Sequence, residues 1–221
     1  MLQSTTLAFL SGLQANNSKP WFDAQRPAYE AAKADFLALA TDLLTGVEAA
    51  DPAIAASHLQ PKKCVFRINR DVRFSADKSP YKSNFGAWFN AGGKGAPTAG
   101  YYLNLEPGGS FVAGGLYMPE AAALAAIRQE IDYDLPAFER LLAGAEFSRY
   151  FSGLSQENTL KRPPKGYEAD NPALPYLKLK SFTAAHPLTD ADVLAPGFRT
   201  HVTDAFRGLQ PLVEFLNRGL N

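Results

Sequence analysis

Apolar residues recur every third or fourth position up to Val47 and every second position from Cys64 onward. A chain whose hydrophobic period switches from helical to extended lays helices against a sheet rather than forming a bare helical bundle. The aromatic content of 12%, with 15 Phe and 9 Tyr, suits sheet faces and helix-on-sheet packing. At 221 residues and 46% hydrophobic, the chain is long enough to bury a real core. The reading is one α+β domain over residues 1–221, a largely antiparallel sheet covered by N-terminal, central and C-terminal helices.

Leu7, Phe9, Leu10 and Leu13 predict a short docking helix over Thr6–Leu13, which stops at Asn16-Asn17. Trp21-Phe22 is a packing anchor in a turn that enters a longer helix. That helix carries Tyr29, Ala32, Phe36, Leu39, Leu43, Leu44 and Val47, and it ends between Gly46 and Pro52. From Cys64 the alternation points Cys64, Phe66 and Ile68 to the core and Val65, Arg67, Asn69, Asp71 and Arg73 away from it. Further strands are predicted over Gly86–Asn90, Gly100–Leu105, Gly109–Tyr117 and Leu177–Phe182. Gly-rich turns such as Gly92-Gly93-Lys94-Gly95 and Pro107-Gly108-Gly109 join the first of them into an antiparallel meander. Pro119 opens a helix through Ala126, Ile127 and Ile131, and Leu135–Leu142 forms another. A last amphipathic helix carries Val202, Phe206, Leu209, Val213, Leu216 and Leu220, with Pro211 as a kink or break.

The 22 Lys+Arg balance 22 Asp+Glu, so any electrostatic function is local. Between Lys62 and Lys94 there are eight basic residues (Lys62, Lys63, Arg67, Arg70, Arg73, Lys78, Lys82 and Lys94) against Asp71 and Asp77, a local excess of six positive charges. Residues 23–51 lean the other way, with six acids and two bases, and offer partners across the core. Arg67, Arg70 and Arg73, three apart, present planar forks suited to carboxylate or phosphate, and Asp71 between them can orient a guanidinium. The loop from Ser75 to Lys82 adds a turn former, hydroxyls and ammonium groups. Arg67, Asn69, Tyr102, Asn104, Lys178 and Lys180 alternate with apolar neighbours and would share the sheet's non-core face. An internal Arg–Asp network and a solvated sheet face are the plain alternatives to a ligand site.

No metal or cofactor is expected. His58, His186 and His201 lie far apart in sequence without partners at ligand spacing. No nucleotide-binding, nucleophile-elbow or metalloprotease motif occurs, and Gly92-Gly93-Lys94-Gly95 reads as a hairpin turn. The one cysteine, Cys64, reads as a buried inert thiol in a reducing compartment. With no basic start ahead of its first apolar stretch and no membrane-length apolar run, the expectation is a cytoplasmic protein without a membrane partner.

An ordered set of motifs runs through nearly the whole chain: Phe9-Leu10-x-x-Leu13 with Asn16-Asn17 and Trp21-Phe22; Arg67-x-x-Arg70-Asp71-x-Arg73-Phe74-Ser75-x-Asp77-Lys78-Ser79-Pro80-Tyr81-Lys82; Gly114-Gly115; Arg128-x-x-Ile131; Leu160-Lys161-x-Pro163-Pro164-Lys165-Gly166; and Leu177-x-x-Lys180. It resembles the domain-of-unknown-function 2461 family of bacterial and fungal proteins. The resemblance implies one cytoplasmic α+β domain and brings no activity, cofactor or catalytic residue with it.

Three readings of the basic cluster follow. In the first, Arg67, Arg70, Arg73, Lys78, Tyr81 and Lys82, with Tyr102 and Lys180 from the sheet face, bind a small phosphorylated or carboxylated ligand. Asp71 or Asp77 would then be the general base if a reaction follows. In the second, the same strip binds nucleic acid, with Tyr81, Trp88, Tyr101 and Tyr102 as stacking surfaces. In the third, the cluster is an internal brace of a structural or interaction domain.

Overall fold

A computed structural model describes residues 2–220. Helix α1 (Ser4–Ala15) buries Leu7, Phe9, Leu10 and Leu13, the apolar stripe that predicts it. Trp21-Phe22, expected in a turn ahead of the long helix, lies in a short helix of its own. Proline lacks the N–H that a helix interior needs and is accepted in the first turn. Pro20 and Pro27 therefore each open a helix, α2 (Lys19–Ala24) and α3 (Arg26–Ala50). The 25 residues of α3 bury Phe36, Leu39, Leu43, Leu44 and Val47 along one side. Asp51, itself buried, accepts hydrogen bonds from the amides of Ala53 and Ile54 and so caps α4 (Pro52–Ala56). A single turn, α5 (Pro61–Cys64), ends at the buried thiol.

The sheet is an antiparallel meander in the order β1 (Phe85–Asn90), β2 (Gly100–Leu105), β3 (Ser110–Leu116) and β4 (Phe182–Leu188). Between β3 and β4 the chain forms α6 (Ala121–Tyr133), α7 (Leu135–Leu142), α8 (Ala145–Ser148) and α9 (Leu174–Leu177). After β4 come α10 (Asp190–Leu194) and α11 (Phe198–Arg218). On the inner face, Phe89, Tyr101, Leu103 and Val112 are buried together with Val202, Phe206, Leu209 and Val213 of α11 in one core. Gly114 permits this closeness, since a Cβ there would stand 2.7 Å from Leu209 Cδ1. Pro211 is exposed inside α11, and the helix runs through it to Arg218 instead of breaking. These elements make an α+β fold.

Two predicted strands are redrawn. Leu177–Phe182 is not extended: Leu177 closes α9, whose first turn accepts Pro175, and β4 begins only at Phe182, opposite Leu116. Pro187 sits in β4, an edge strand, where a missing amide hydrogen disturbs no ladder on the open side. The stretch after Cys64 touches the sheet only through an isolated bridge, Val65 with Ala87, and a bond from Phe66 N to Gly86 O (2.9 Å). It then turns back on itself, with Lys82 N donating to Ile68 O (2.8 Å) and Arg70 N to Pro80 O (3.0 Å). Amides occupied in this loose hairpin are lost to a ladder with β1. The expected inward row is broken in consequence: Cys64 and Ile68 are buried at 2%, while Phe66 is 36% exposed.

Candidate functional site

The hairpin from Val65 to Asn84 is held against the N-terminal helices through Tyr81. The Tyr81 ring stacks on Phe22 with centroids 4.0 Å apart. Its backbone is clasped by the Asn17 amide, which donates to Tyr81 O (2.9 Å) and accepts from Tyr81 N (3.1 Å). Between the end of α1 and this hairpin lies a cleft of about 430 Å³. Gln14 and Asn17 form one wall; Asp77, Ser79, Lys82 and Asn84 stand opposite. Ser83 and Arg70 also border it.

The arginines divide into two kinds. Arg70 forms a close ion pair with Asp77 and donates to Ser75 Oγ at 3.3 Å. Arg73 makes a two-pronged contact with Asp71, at 3.0 Å from Nε and 2.7 Å from the terminal nitrogen. Lys78 donates to the Val72 carbonyl at 3.0 Å. These contacts tie the turn from Asp71 to Ser79 to itself. The Ser79 hydroxyl and amide, with Arg70, hold the Asp77 carboxyl far below the usual carboxylate range, and Arg73 lowers Asp71 as well. Both aspartates are thus engaged by neighbours within the turn.

Arg67, Lys82 and Lys94 are of the second kind: no acid pairs with any of them among the described residues. The acids of α2 and α3 do not reach them either, since Asp23 pairs with Lys19 and Arg26, Glu30 with Lys33 and Asp42 with Arg199. Lys82 Nζ lies 5.3 Å and Lys94 Nζ 4.8 Å from the centroid of the Phe66 ring. An aromatic face attracts cations, and here it draws in two that repel each other. Lys94 also donates to Val65 O at 2.7 Å. Burial first, then the charges of Arg67 and Lys94, lower the pKa of Lys82 from the ordinary 10.5.

Behind this group the outer face of the sheet supplies a polar floor. Gly86 leaves room for Tyr102 to lie across β1, as a Cβ there would stand 2.6 Å from the Tyr102 hydroxyl. Tyr102 meets Phe66 edge-on at 6.2 Å, and its hydroxyl donates to Asn104 Oδ1 at 3.3 Å. Asn104 Oδ1 also accepts from Asn84 Nδ2 (2.5 Å), and Ser83 donates to Glu106 (2.7 Å).

Of the residues singled out in the sequence, the structure therefore brings Arg70, Asp77, Tyr81 and Lys82 to the cleft and Arg67 and Tyr102 beside it. Arg73, Asp71 and Lys78 stay in the turn. Lys180 precedes β4, at the opposite edge of the sheet from the hairpin. Tyr81 and Tyr101 are 7% and 1% exposed, so neither offers a face for stacking bases. His186 and His201 meet with ring centroids 5.4 Å apart, beside Tyr150 and away from this site. Phe66 and Lys94 are functional candidates that the sequence pattern concealed: the alternation assigns Phe66 to the core, and Lys94 stands in a glycine-rich turn. Gln14, Ser83 and Asn84 carry no signal beyond being polar.

The fold and the cleft define an α+β protein with a polar cleft between its N-terminal helices and one sheet edge, with Lys82 in its lining. A family model described as "Conserved hypothetical protein (DUF2461)" matches residues 5–215, and the chain belongs to that family. No curated protein and no solved structure matches it. Among the described residues, no helix is long and apolar enough to cross a membrane.

Proposed function

We propose that this protein binds a small phosphorylated or carboxylated molecule in the cytoplasm, in the cleft beside the Val65–Asn84 hairpin. The observation that carries the reading is a gathering of like charges, Lys82 and Lys94 over the Phe66 ring and Arg67 near enough to act on Lys82, none of them in an ion pair among the described residues. Holding three cations together in a partly dry setting is unfavourable unless an anion joins them. The cleft's 430 Å³ falls in the range of small-molecule sites. A cytoplasmic setting is supported by the free, buried Cys64, whose thiol pKa is raised chiefly by burial and which suits a reducing compartment.

Calorimetric titration with inorganic phosphate tests the reading. Saturable binding is expected, weakened about 10- to 100-fold in Lys82→Met or Arg67→Ala, as for loss of a charge-assisted contact of about 1.5–3 kcal/mol. Absence of binding to the unaltered protein, or equal binding by both variants, removes it.

A further inference from the structure

The chemistry left to Lys82 narrows the ligand further, on the strength of the anion-binding reading. Lys19, Lys33, Lys78 and Lys94 each donate to an oxygen of the fold, and Lys62, Lys63, Lys161 and Lys165 are exposed. Lys82 belongs to neither group: it is half-buried in the wall of the cleft, and its Nζ makes no hydrogen bond or ion pair among the described residues. That Nζ lies 5.3 Å from the centroid of the Phe66 ring, which it shares with Lys94. The ring favours a charged amine, yet burial, Arg67 and Lys94 together make the proton easier to lose than from an ordinary lysine. Cations beside an amine and little water around it are what turn lysine into a nucleophile, because only the neutral amine has a free electron pair.

The rest of the cleft can hold an anionic group next to such an amine. The Asn17 and Asn84 amides each spend one N–H, on Tyr81 O and on Asn104 Oδ1, and a carboxamide has two. The second N–H of each, with the amide of Gln14, is left for a ligand in the cleft. We infer that Lys82 condenses with the carbonyl group of a small anionic aldehyde or ketone. The electron pair of the neutral amine attacks the carbonyl carbon, and the carbonyl oxygen takes up one of the amine's protons to become a hydroxyl. That hydroxyl leaves as water with a proton from solvent, while the nitrogen pair closes the C=N bond and the second N–H stays in place. The product is a protonated imine, so the positive charge survives the condensation and the ligand's anionic group keeps its partner.

Oxo acids and sugar phosphates share this chemistry, and matched ketones separate them. The unaltered protein is incubated near neutral pH with pyruvate, dihydroxyacetone phosphate or uncharged hydroxyacetone, reduced with cyanoborohydride and mapped by peptide mass spectrometry, with phosphate binding titrated in parallel. The reduced product should lie on Lys82 at least about 10-fold above Lys62 or Lys161, as for an amine to which a bound carbonyl is presented. Whichever of pyruvate and dihydroxyacetone phosphate labels Lys82 more names the anionic group. Lys94→Gln should move the pH of half-maximal labelling at Lys82 upward, a change that a merely accessible lysine would not show. Label spread evenly over the lysines, with phosphate still bound, overturns the condensation and leaves anion binding standing. Equal labelling of Lys82 by hydroxyacetone overturns the anionic half of the assignment. If phosphate does not bind, the anion-binding reading itself falls.

Discussion

The ring of Phe22 lies on the ring of Tyr81 with centroids 4.0 Å apart and planes inclined by 13°. This contact joins helix α2 to the hairpin that carries Lys82, and it is backed by Phe9 and Tyr29 around Phe22. Phe22→Ala removes a side chain that is 2% exposed, and a loss of about 3–5 kcal/mol is expected in urea denaturation. Amide hydrogen exchange of residues 77–84 should quicken, because the stack, together with the Asn17 clasp on the Tyr81 backbone, fixes that segment to the helices. Unchanged exchange there would show that the hairpin is held by other contacts.

Arg67 and Arg70 stand three residues apart in opposite roles, and alanine at each should separate them. Arg70, only 26% exposed at its side chain and bound to Asp77 and Ser75, braces the turn. Its removal should lower the melting temperature by several degrees, corresponding to about 1–2 kcal/mol. Arg67 makes no ion pair among the described residues, and its charge is attracted by Asp71 and opposed by Lys82, so Arg67→Ala should leave the melting temperature nearly unchanged while weakening phosphate binding. A large thermal loss in Arg67→Ala would mean that it, too, is a brace.

Lys82 gives the site a pH dependence whose sign is defined. Burial, with help from Arg67 and Lys94, places its folded-state pKa below the ordinary 10.5, the value it regains on unfolding. Between the two values the unfolded chain holds more protons, so the contribution of Lys82 to stability rises with pH across that window. An anion binds the protonated form, so phosphate affinity should fall as pH passes the Lys82 pKa of the free protein. NMR titration of the lysine side chains reads this directly. Lys94→Gln should move the Lys82 midpoint upward, and a midpoint that does not move would place Lys94 outside its field.

Gly115 is held at φ +114°, and a Cβ there would stand 1.9 Å from the Phe182 carbonyl oxygen. The backbone conformation alone costs a non-glycine residue about 1–3 kcal/mol, and the overlap adds to it at the point where β3 pairs with β4. Gly115→Ala should therefore strip protection from the β3–β4 amides before those of β1 and β2. Loss of protection spread evenly over the sheet would contradict this.

Short-range pattern determined much of this protein. The stripes of Leu7, Phe9, Leu10 and Leu13, of Phe36 to Val47, and of Val202 to Leu216 specify α1, α3 and α11, because a helix's buried face depends only on neighbours three and four positions away. Alternation and Gly-rich turns specify β1 to β3 for the same reason. The surplus of positive charge between Lys62 and Lys94 is likewise plain from the residues, and so is the family likeness. Tertiary structure decided which of those charges are free. Arg70 is neutralised by an aspartate seven positions on, whereas Lys82 meets the charges of Arg67 and of Lys94, which arrives from the turn beyond β1. The same alternation that predicts a strand after Cys64 leaves Phe66 exposed, because the segment's amides pair within its own hairpin. Spacing along the chain governs the energy of a local element, while a charge or an unpaired amide is satisfied by whatever the completed fold brings within a few ångströms of it.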